Sequence, residues 1–162
     1  MQNFIDFKKA FDRVCSAGLW QVLRGFNIEE GLVQSTQALC ENSSSAVLLN
    51  SQLGEFFKTT VGVRQGCLLS PILFNLFLEK IMQETLHDHH TSISIGGRPI
   101  CNQRFADDID LMGGSSSELQ DLTSGLEDRV TAYGMEVSTE KSKFVISSTN
   151  IISTDTSVKG QK

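Results

Sequence analysis

The sequence lacks paired cysteines. Its four cysteines are widely spaced and form no CxxC pair: Cys15, Cys40, Cys67 and Cys101. This spacing does not indicate a zinc site or a disulfide framework, and it favours a reducing, intracellular location in the nucleus or the cytoplasm. His87 and His90 have a spacing that a metal could use, but no further ligand is expected to converge on them. We therefore expect solvated histidines there, as is usual at a helix end.

Long apolar runs and an excess of positive charge are also absent. The most apolar stretch, ILFNLFLEKIM, is interrupted by Asn75, Glu79 and Lys80, so no membrane span is expected. The N-terminus, MQNFIDFKKAFD, carries acidic and basic residues among its first apolar ones, which does not fit a signal peptide. The net charge is −5, and the acidic excess lies entirely after residue 80. This charge argues against a protein that coats nucleic acid without specificity.

What the chain does have is enough for one folded domain. It has 162 residues, of which 40% are hydrophobic and 20% charged, as in soluble globular domains. No internal repeat is found. We expect one domain over residues 1–147 and a polar, disordered tail over residues 148–162.

The first half of the chain predicts a strand, two helices and a strand pair. In NFIDF, Ile5 and Phe7 should share one strand face, opposite Phe4 and Asp6. The next helix has apolar residues at helical spacing: Leu19, Leu23 and Phe26. A second helix, from residue 29 to about residue 42, is predicted by acids in its first turn.

Three further features of this half can be tested against a structure. Leu32 and Leu39 should lie on the inner side of the second helix. Val and Thr enrichment then predicts strands over residues 46–50 and 56–63, joined by SQLGE. Ser70 followed by Pro71 predicts a helix start, because the serine oxygen can cap free amides and proline at the first helical position loses no hydrogen bond.

The second half predicts helices that cover a sheet. The helix in ILFNLFLEKIMQETL is apolar over much of its surface and should be central. Strands around GGRP lead to RFADDIDLM, and SSSELQDLTSGLEDRVTAYG is a capped amphipathic helix that should cover the sheet. A last strand follows in GMEVSTEKSKFVIS. Together these elements predict an α+β fold.

Two adjacent aspartates interrupt an apolar strand in RFADDIDLM. On a tight turn, Asp107 and Asp108 would bring two negative charges within a few ångströms, and such charges share a proton or bind cations. Mg²⁺ is the natural cation, because it takes one or two carboxylates and leaves its other positions to water and phosphate. Aspartate pairs also occur in ordinary surface turns, so the pair alone does not decide the function.

Four stretches in a fixed order resemble the palm of reverse transcriptases of non-LTR (LINE-type) retrotransposons: FIDFKKAFDRV, VRQGCLLSPILFNLFLEKI, FADDIDLM and GMEVSTEKSKFVI. The resemblance covers residues 3–147. It implies a palm-like antiparallel sheet covered by helices. It also implies an RNA-directed DNA polymerase that adds dNTPs to a DNA primer on an RNA template, with two Mg²⁺ ions that Mn²⁺ could replace.

The resemblance also implies roles for the charged residues. Asp6 and Asp107 would be the principal ligands of both Mg²⁺ ions, with Asp108 as a weaker or supporting ligand. Lys141 matches the family's lysine near the leaving pyrophosphate, where it would act electrostatically or donate a proton. On pattern alone, Asp6 could be an ordinary strand residue and Lys141 an ordinary surface lysine.

Further residues match nucleotide and template contacts of the family. Phe11 matches an aromatic gate under the sugar of the incoming nucleotide, which implies a preference for deoxynucleotides; on pattern alone it would be a core residue. Gln65 and Gly66 precede a helix, where free amides and a missing side chain allow close approach to a template base and backbone. Arg64 could contact a phosphate or be a solvated cation. Asp12 matches an acid to which we assign only a structural or capping role.

Members of the family also have parts that we do not recognise in this sequence. These are a basic fingers region before the first catalytic strand, a thumb after the last motif, and an endonuclease domain. We therefore expect a fragment whose partner is the rest of the retrotransposon polyprotein. Two hypotheses stay open: a palm that extends a primer, or a catalytically silent remnant that at most binds nucleic acid or a partner.

Overall fold

The structure, a computed structural model, describes residues 1–41, 44–59, 61–91 and 93–146. In chain order its elements are β1 (Gln2–Ile5), a 3₁₀ turn (Phe11–Arg13), α1 (Ser16–Gly25), α2 (Glu30–Glu41), β2 (Ser44–Ser45), β3 (Leu48–Leu49), β4 (Gln52–Leu53), β5 (Phe57–Lys58), α3 (Ser70–Leu86), β6 (Ser94–Ile95), β7 (Arg98–Pro99), β8 (Asn102–Phe105), β9 (Asp108–Met112), α4 (Ser116–Ala132) and β10 (Lys143–Val145). The chain divides into two compact units. The sheet unit comprises Met1–Ala10 and the chain from Glu79 onward, and the helical unit is Phe11–Leu78.

A four-stranded antiparallel sheet organises the sheet unit. Its strand order is β10-β1-β9-β8. One face of the two central strands is buried through apolar and amide side chains: Asn3, Ile5, Ile109 and Leu111. Helix α4 contacts β1 and β9 on this side, and the Asn3 Nδ2 donates to Thr123 Oγ1 at 3.1 Å. The prediction of an α+β fold with a helix-covered antiparallel sheet is therefore confirmed.

Helix α4 begins as its sequence predicts. The Ser115 Oγ accepts from the Glu118 amide at 3.1 Å, and the Glu118 Oε2 accepts from the Gly114 amide at 3.0 Å. This reciprocal arrangement resembles a capping box, which satisfies amides that have no partner inside the helix. The buried stripe consists of residues at helical spacing: Leu119, Leu122, Thr123, Leu126 and Val130.

In the helical unit, α1 contacts α2. Leu19 and Leu23 of α1 are buried, as predicted, whereas Phe26 follows the helix as its C-cap and is only partly buried. The predicted inner face of α2 is wrong, because Leu32 and Leu39 are 60% and 68% exposed. The buried residues of α2 are Val33 and Thr36. The helix therefore packs through the face that carries these two residues.

The two predicted strands at residues 46–50 and 56–63 are replaced by four very short ones. Strand β2 pairs with β5, and β3 pairs with β4. The β3–β4 turn is formed by Asn50 and Ser51, whose φ angles are 49° and 62°. Two positive φ values at the centre of a two-residue loop are typical of a tight hairpin. The chain therefore reverses at the start of the predicted linker SQLGE, and β4 lies within that linker.

Helix α3 is largely buried, as predicted for a central helix. Its buried apolar side chains recur along its length: Leu73, Phe74, Phe77, Leu78, Ile81 and Met82. No helix among the described residues is both long and apolar enough to cross a membrane. The predicted tail over residues 148–162 lies outside the described residues, and the prediction of a domain over residues 1–147 stays a prediction.

Candidate active site

The aspartate pair lies at a tight hairpin in the sheet unit. Phe105 of β8 pairs with Asp108 of β9, so Ala106 and Asp107 form a two-residue turn. The φ of Ala106 is 54°, a left-handed conformation that costs a residue with a side chain about 1–2 kcal/mol. Strain of this kind is often kept at functional sites. The sequence correctly predicted the tight turn between two short strands.

An ion pair connects strand β8 of this hairpin to α3. The Arg104 Nη1 lies 2.7 Å from the Glu79 Oε2, and both side chains are about one-third exposed. Phe105, next along the chain, is 83% exposed. The hairpin therefore has one anchored residue and one open aromatic side chain beside the aspartate pair.

Asp6 directly follows β1, at the hairpin end of the neighbouring strand. The β1–β9 ladder ends with Ile5 opposite Ile109, and Asp6 and Asp108 are the next residues along their segments at this end. Ile5 and Phe7 are 2% and 3% exposed, whereas Phe4 is 44% exposed. The predicted alternation is confirmed.

A turn from the C-terminal motif holds the backbone of Asp6. The Ser138 amide donates to the Asp6 carbonyl at 2.7 Å, and the Asp6 amide donates to the Ser142 Oγ at 3.3 Å. The Lys141 Nζ lies 3.6 Å from the Asp6 Oδ1. The structure thus brings Lys141 and Asp6 together. Sequence reasoning assigned no role to Ser138 and Ser142, although both lie in the motif GMEVSTEKSKFVI.

The acidic side chains of the hairpin fit a metal ion only in part. Asp107 is partly exposed and Asp108 is exposed. Neither carboxylate forms an ion pair or a side-chain hydrogen bond with any described residue. Carboxylate oxygens left in this way are donors that Mg²⁺ accepts. However, no group of three acidic, histidine or cysteine side chains in the described part of the chain surrounds a point that could hold an ion. The donor types fit a divalent ion, but the three predicted ligands are not gathered around one.

A further acid on β9 was not predicted as a site residue. Asp110 lies opposite Phe4, two positions after Asp108, and therefore shares the open face of the sheet with it. Its Oδ1 is buried and has no hydrogen-bond partner among the described residues. Burial raises the pKa of Asp110, against the opposing charge of the N-terminal ammonium. Strand periodicity from Asp108 was the available signal for this residue.

Phe11 is held by an aromatic contact in the helical unit. Its ring stacks on that of Phe74 in α3, with 4.6 Å between the centroids and 17° between the planes. Aromatic pairs of this kind fix ring orientation beyond simple burial. The structure therefore gives Phe11 a defined position, which either a gate or a core residue would have.

The RQG loop lies in the same unit and is exposed at Arg64, Gln65 and Gly66. The φ of Gly66 is 82°, and a Cβ added there would meet no atom within 4 Å. The Ser70 hydroxyl donates to the Arg64 carbonyl at 2.6 Å. This bond replaces the predicted capping role, because no helix amide in the described residues donates to the Ser70 oxygen.

A cysteine beside this loop has an unusual environment. Bonds from the Leu69 amide and from Ser70, with the charge of Arg64, lower the pKa of the Cys67 thiol despite partial burial. In contrast, burial raises the pKa of the Cys40 thiol, with smaller contributions from Cys67 and Glu41. No sequence pattern had indicated this difference between the two cysteines.

The predicted site residues therefore divide between the two units. The sheet unit holds the four predicted catalytic residues: Asp6, Asp107, Asp108 and Lys141. The helical unit holds the four predicted nucleotide and template residues: Phe11, Arg64, Gln65 and Gly66. Within the sheet unit, three separate sequence motifs meet at one end of the sheet.

Comparison with known proteins identifies the family of the chain. Residues 2–159 match the family described as reverse transcriptase (RNA-dependent DNA polymerase). The Pol polyprotein of retrotransposable element R2DM from Drosophila melanogaster is 29% identical over 138 residues, which are 85% of this chain and 13% of the relative. The corresponding R2 polyprotein of Nasonia vitripennis is 28% identical over 137 residues, again 85% of this chain and 13% of the relative. The chain thus spans a small part of these relatives.

Solved structures resemble the chain in fold. Telomerase from Candida albicans, in complex with a TWJ fragment of telomeric RNA, matches with a TM-score of 0.72 and 16% identity, over 96% of this chain and 28% of that one. Telomerase from Candida tropicalis, in the corresponding complex, matches with a TM-score of 0.68 and 17% identity, over 88% of this chain and 25% of that one.

Proposed function

The chain belongs to the reverse transcriptase (RNA-dependent DNA polymerase) family, with relatives in non-LTR retrotransposons, and from this premise we propose a role in primer extension. The substrates would be dNTPs, a DNA primer and an RNA template, and the rest of a longer polyprotein would be the partner. The observation that supports the proposal is the register of β1 on β9: the ladder ends with Ile5 opposite Ile109, and Asp6 and Asp108 are the next residues at the hairpin end of the sheet.

Asp6 and Asp107 would hold two Mg²⁺ ions, with Asp108 in support, and Mn²⁺ could replace Mg²⁺. When bound, such ions activate the primer hydroxyl and stabilise the leaving pyrophosphate. Asp107 and Asp108 suit this role because their carboxylates have no partner to give up among the described residues. Their mutual repulsion would also fall when a cation binds.

Lys141 would change partners during the reaction. Its ion pair with Asp6 is loose, at 3.6 Å, and its side chain is 68% exposed. Exposed ion pairs of this kind contribute only about 0.2–1 kcal/mol. A divalent cation could therefore replace Lys141 beside Asp6 at low cost. Lys141 would then be free to donate a proton from Nζ to an oxygen of the leaving pyrophosphate.

The helical unit would contribute substrate selection. Phe11, fixed by its stack on Phe74, would leave no room for a 2′-hydroxyl on the incoming nucleotide. Gly66 borders open space, which would let a template base and its backbone come close to the loop at Gln65. The exposed guanidinium of Arg64 would contact a phosphate.

A primer-extension assay on an RNA template tests the catalytic proposal. We expect weak incorporation by the full chain that requires Mg²⁺ or Mn²⁺ and is lost in Asp107→Asn. Asp121→Asn, which removes the same charge from an exposed position of α4, should keep it. Titration with Mn²⁺ gives a second readout, because Asp107→Asn should weaken binding by at least about tenfold.

Three outcomes would count against the proposal. Incorporation that survives in Asp107→Asn would remove Asp107 from catalysis. A chain that neither incorporates nucleotides nor binds Mn²⁺ through Asp107 would be a silent remnant. Robust processive synthesis would contradict the expectation that this part of a longer polyprotein is weak by itself.

The gate has its own test. We expect Phe11→Ala to lower the preference for dNTPs over ribonucleotides by about tenfold or more, because a bulky group that excludes the 2′-hydroxyl is lost. Phe56→Ala removes an exposed aromatic ring of the same unit, 67% exposed, and should leave the preference unchanged. An unchanged preference in Phe11→Ala would refute the gate.

A further inference from the structure

The side chain of Asp12 forms a hydrogen bond with Gln65, which neither a solvated acid nor a simple helix cap would form. The Asp12 Oδ1 accepts from the Gln65 Nε2 at 3.1 Å. The two residues are separated by most of the helical unit in sequence, and both are exposed. A bond between exposed groups competes with water, so its net contribution is modest. The bond connects the Phe11 turn with the RQG loop and favours one relative position of these two segments.

The backbones of the same two segments are also joined. The Val63 amide donates to the Phe11 carbonyl at 2.8 Å, and the Gly62 amide donates to the Val14 carbonyl at 2.9 Å. A Cβ at Gly62 would lie only 2.9 Å from the backbone of Asp12. The loop therefore lies directly on the turn, with no space between them for a side chain.

Both segments are anchored to the same helix. The Phe11 ring stacks on Phe74 of α3, and the Ser70 hydroxyl at the start of α3 binds the Arg64 carbonyl. We call the set of contacts that joins Phe11–Val14, Gly62–Gln65 and the start of α3 the gate latch. In it, Asp12–Gln65 is the side-chain hydrogen bond that links the turn directly to the loop.

We propose that Asp12 is a positioning residue, which keeps the Phe11 ring and the Gln65 loop in one fixed arrangement and thereby sharpens discrimination against ribonucleotides. The inference rests on the proposed function of Phe11 and Gln65. It assigns to Asp12 a role through its neighbours. If the carboxylate is lost, Gln65 is released and the loop can move relative to the gate, while every side chain proposed to contact substrate is still present.

The test uses the full chain with three variants. Asp12→Ala removes the acceptor, whereas Asp12→Asn keeps an oxygen that can accept from the Gln65 Nε2. Glu55→Ala removes an exposed acid elsewhere in the same unit and is the matched control. Two readouts are measured: amide hydrogen exchange over residues 61–66, and the ratio of affinities for labelled dATP and ATP with Mn²⁺. The affinity ratio needs no turnover.

For Asp12→Ala we expect exchange to rise and the dATP preference to fall, each by roughly 3- to 10-fold, as for the loss of one hydrogen bond. Asp12→Asn and Glu55→Ala should behave as the wild type. Unchanged exchange in Asp12→Ala would overturn the latch. Raised exchange with an unchanged preference, while Phe11→Ala lowers the preference, would overturn the positioning role alone. If Phe11→Ala also leaves the preference unchanged, the gate itself fails, and the role of Asp12 fails with it.

Discussion

The two units hold their candidate residues in opposite ways. In the sheet unit, strand pairing positions the backbone, and the acidic side chains are left nearly without partners. Asp6 has one loose ion pair, and the carboxylates of Asp107 and Asp108 have none within the described part of the chain. In the helical unit, stacking fixes the Phe11 ring and a hydrogen bond fixes Gln65.

This difference follows from what each set of residues would do. A carboxylate that already has strong partners must lose them before it binds a cation, and this loss weakens binding. A residue that selects by shape works only if its position is fixed, because a misplaced contact discriminates poorly. Free acids and fixed selecting residues are therefore both expected of a nucleotidyl-transfer site.

The largest effect is expected at Gly62, where the backbone of Asp12 leaves no room for a side chain. Gly62→Ala combines a φ of 90° with a Cβ at 2.9 Å from the Asp12 backbone. Left-handed strain and overpacking together should lower the free energy of unfolding by about 2–4 kcal/mol. Urea denaturation measures this change.

Gly66→Ala is the matched control for Gly62→Ala. Its φ is 82°, but its Cβ would meet open space, so only the strain of about 1–2 kcal/mol should appear. The difference between the two variants isolates the contact between loop and turn. If both variants lost the same unfolding free energy, the close approach at Gly62 would not contribute to stability. The contrast between fixed residues in the helical unit and free acids in the sheet unit would then be weaker.

A smaller effect is expected at Tyr133. Its partner, Glu84, is an acid of the sheet unit that lies outside the candidate site and has hydrogen-bond partners. The Tyr133 hydroxyl donates to the Glu84 Oε1 at 2.8 Å. Burial tends to raise the pKa of Glu84, but bonds from Tyr133 and Lys80 and the charges of Lys80 and Arg129 outweigh it, so the pKa is lowered. Burial and Glu84 raise the pKa of Tyr133 to about 12.

Tyr133→Phe should therefore cost about 1 kcal/mol of unfolding free energy at neutral pH. A carboxyl whose pKa is lowered by folding adds stability above its unfolded pKa, near 4.5, and this stability is lost as pH falls through the folded value. The gap between wild type and Tyr133→Phe should thus narrow in acid. A gap that stays constant in acid would show that Glu84 is not the relevant partner.

Tyr133 is the one tyrosine of the chain, so its absorbance titration should show a midpoint of about 12.

Local patterns in the sequence predicted the parts of the fold that local physics decides. The alternation around Asp6, the serine cap of α4 and the tight turn at Asp107 were all predicted correctly, because each depends on neighbours within a few positions. The inner face of α2 was wrong, because apolar residues stand on more than one side of that helix and only tertiary packing selects between them.

The contacts of the site depend on residues far apart in sequence. Nothing local in FIDF and FADD predicts that β1 pairs with β9, or that Lys141 lies beside Asp6. The family resemblance supplied the expectation that these motifs converge. The Asp12–Gln65 bond had no such signal, since its two residues lie in different motifs and the resemblance assigned them no contact.

The smallest effect is expected for the aspartate pair, and it is the sharpest test of the contrast. Asp107→Asn should change the free energy of unfolding by less than about 0.5 kcal/mol, because no described side chain depends on its carboxylate and one like-charge repulsion with Asp108 is removed. Added Mn²⁺ should stabilise the wild type in proportion to ln(1 + [L]/Kd) but not this variant. Thermal unfolding with and without Mn²⁺ measures both quantities. A metal-free loss of more than about 1 kcal/mol would mean that Asp107 holds the hairpin together, and the sheet unit would then position its acid as the helical unit positions its gate.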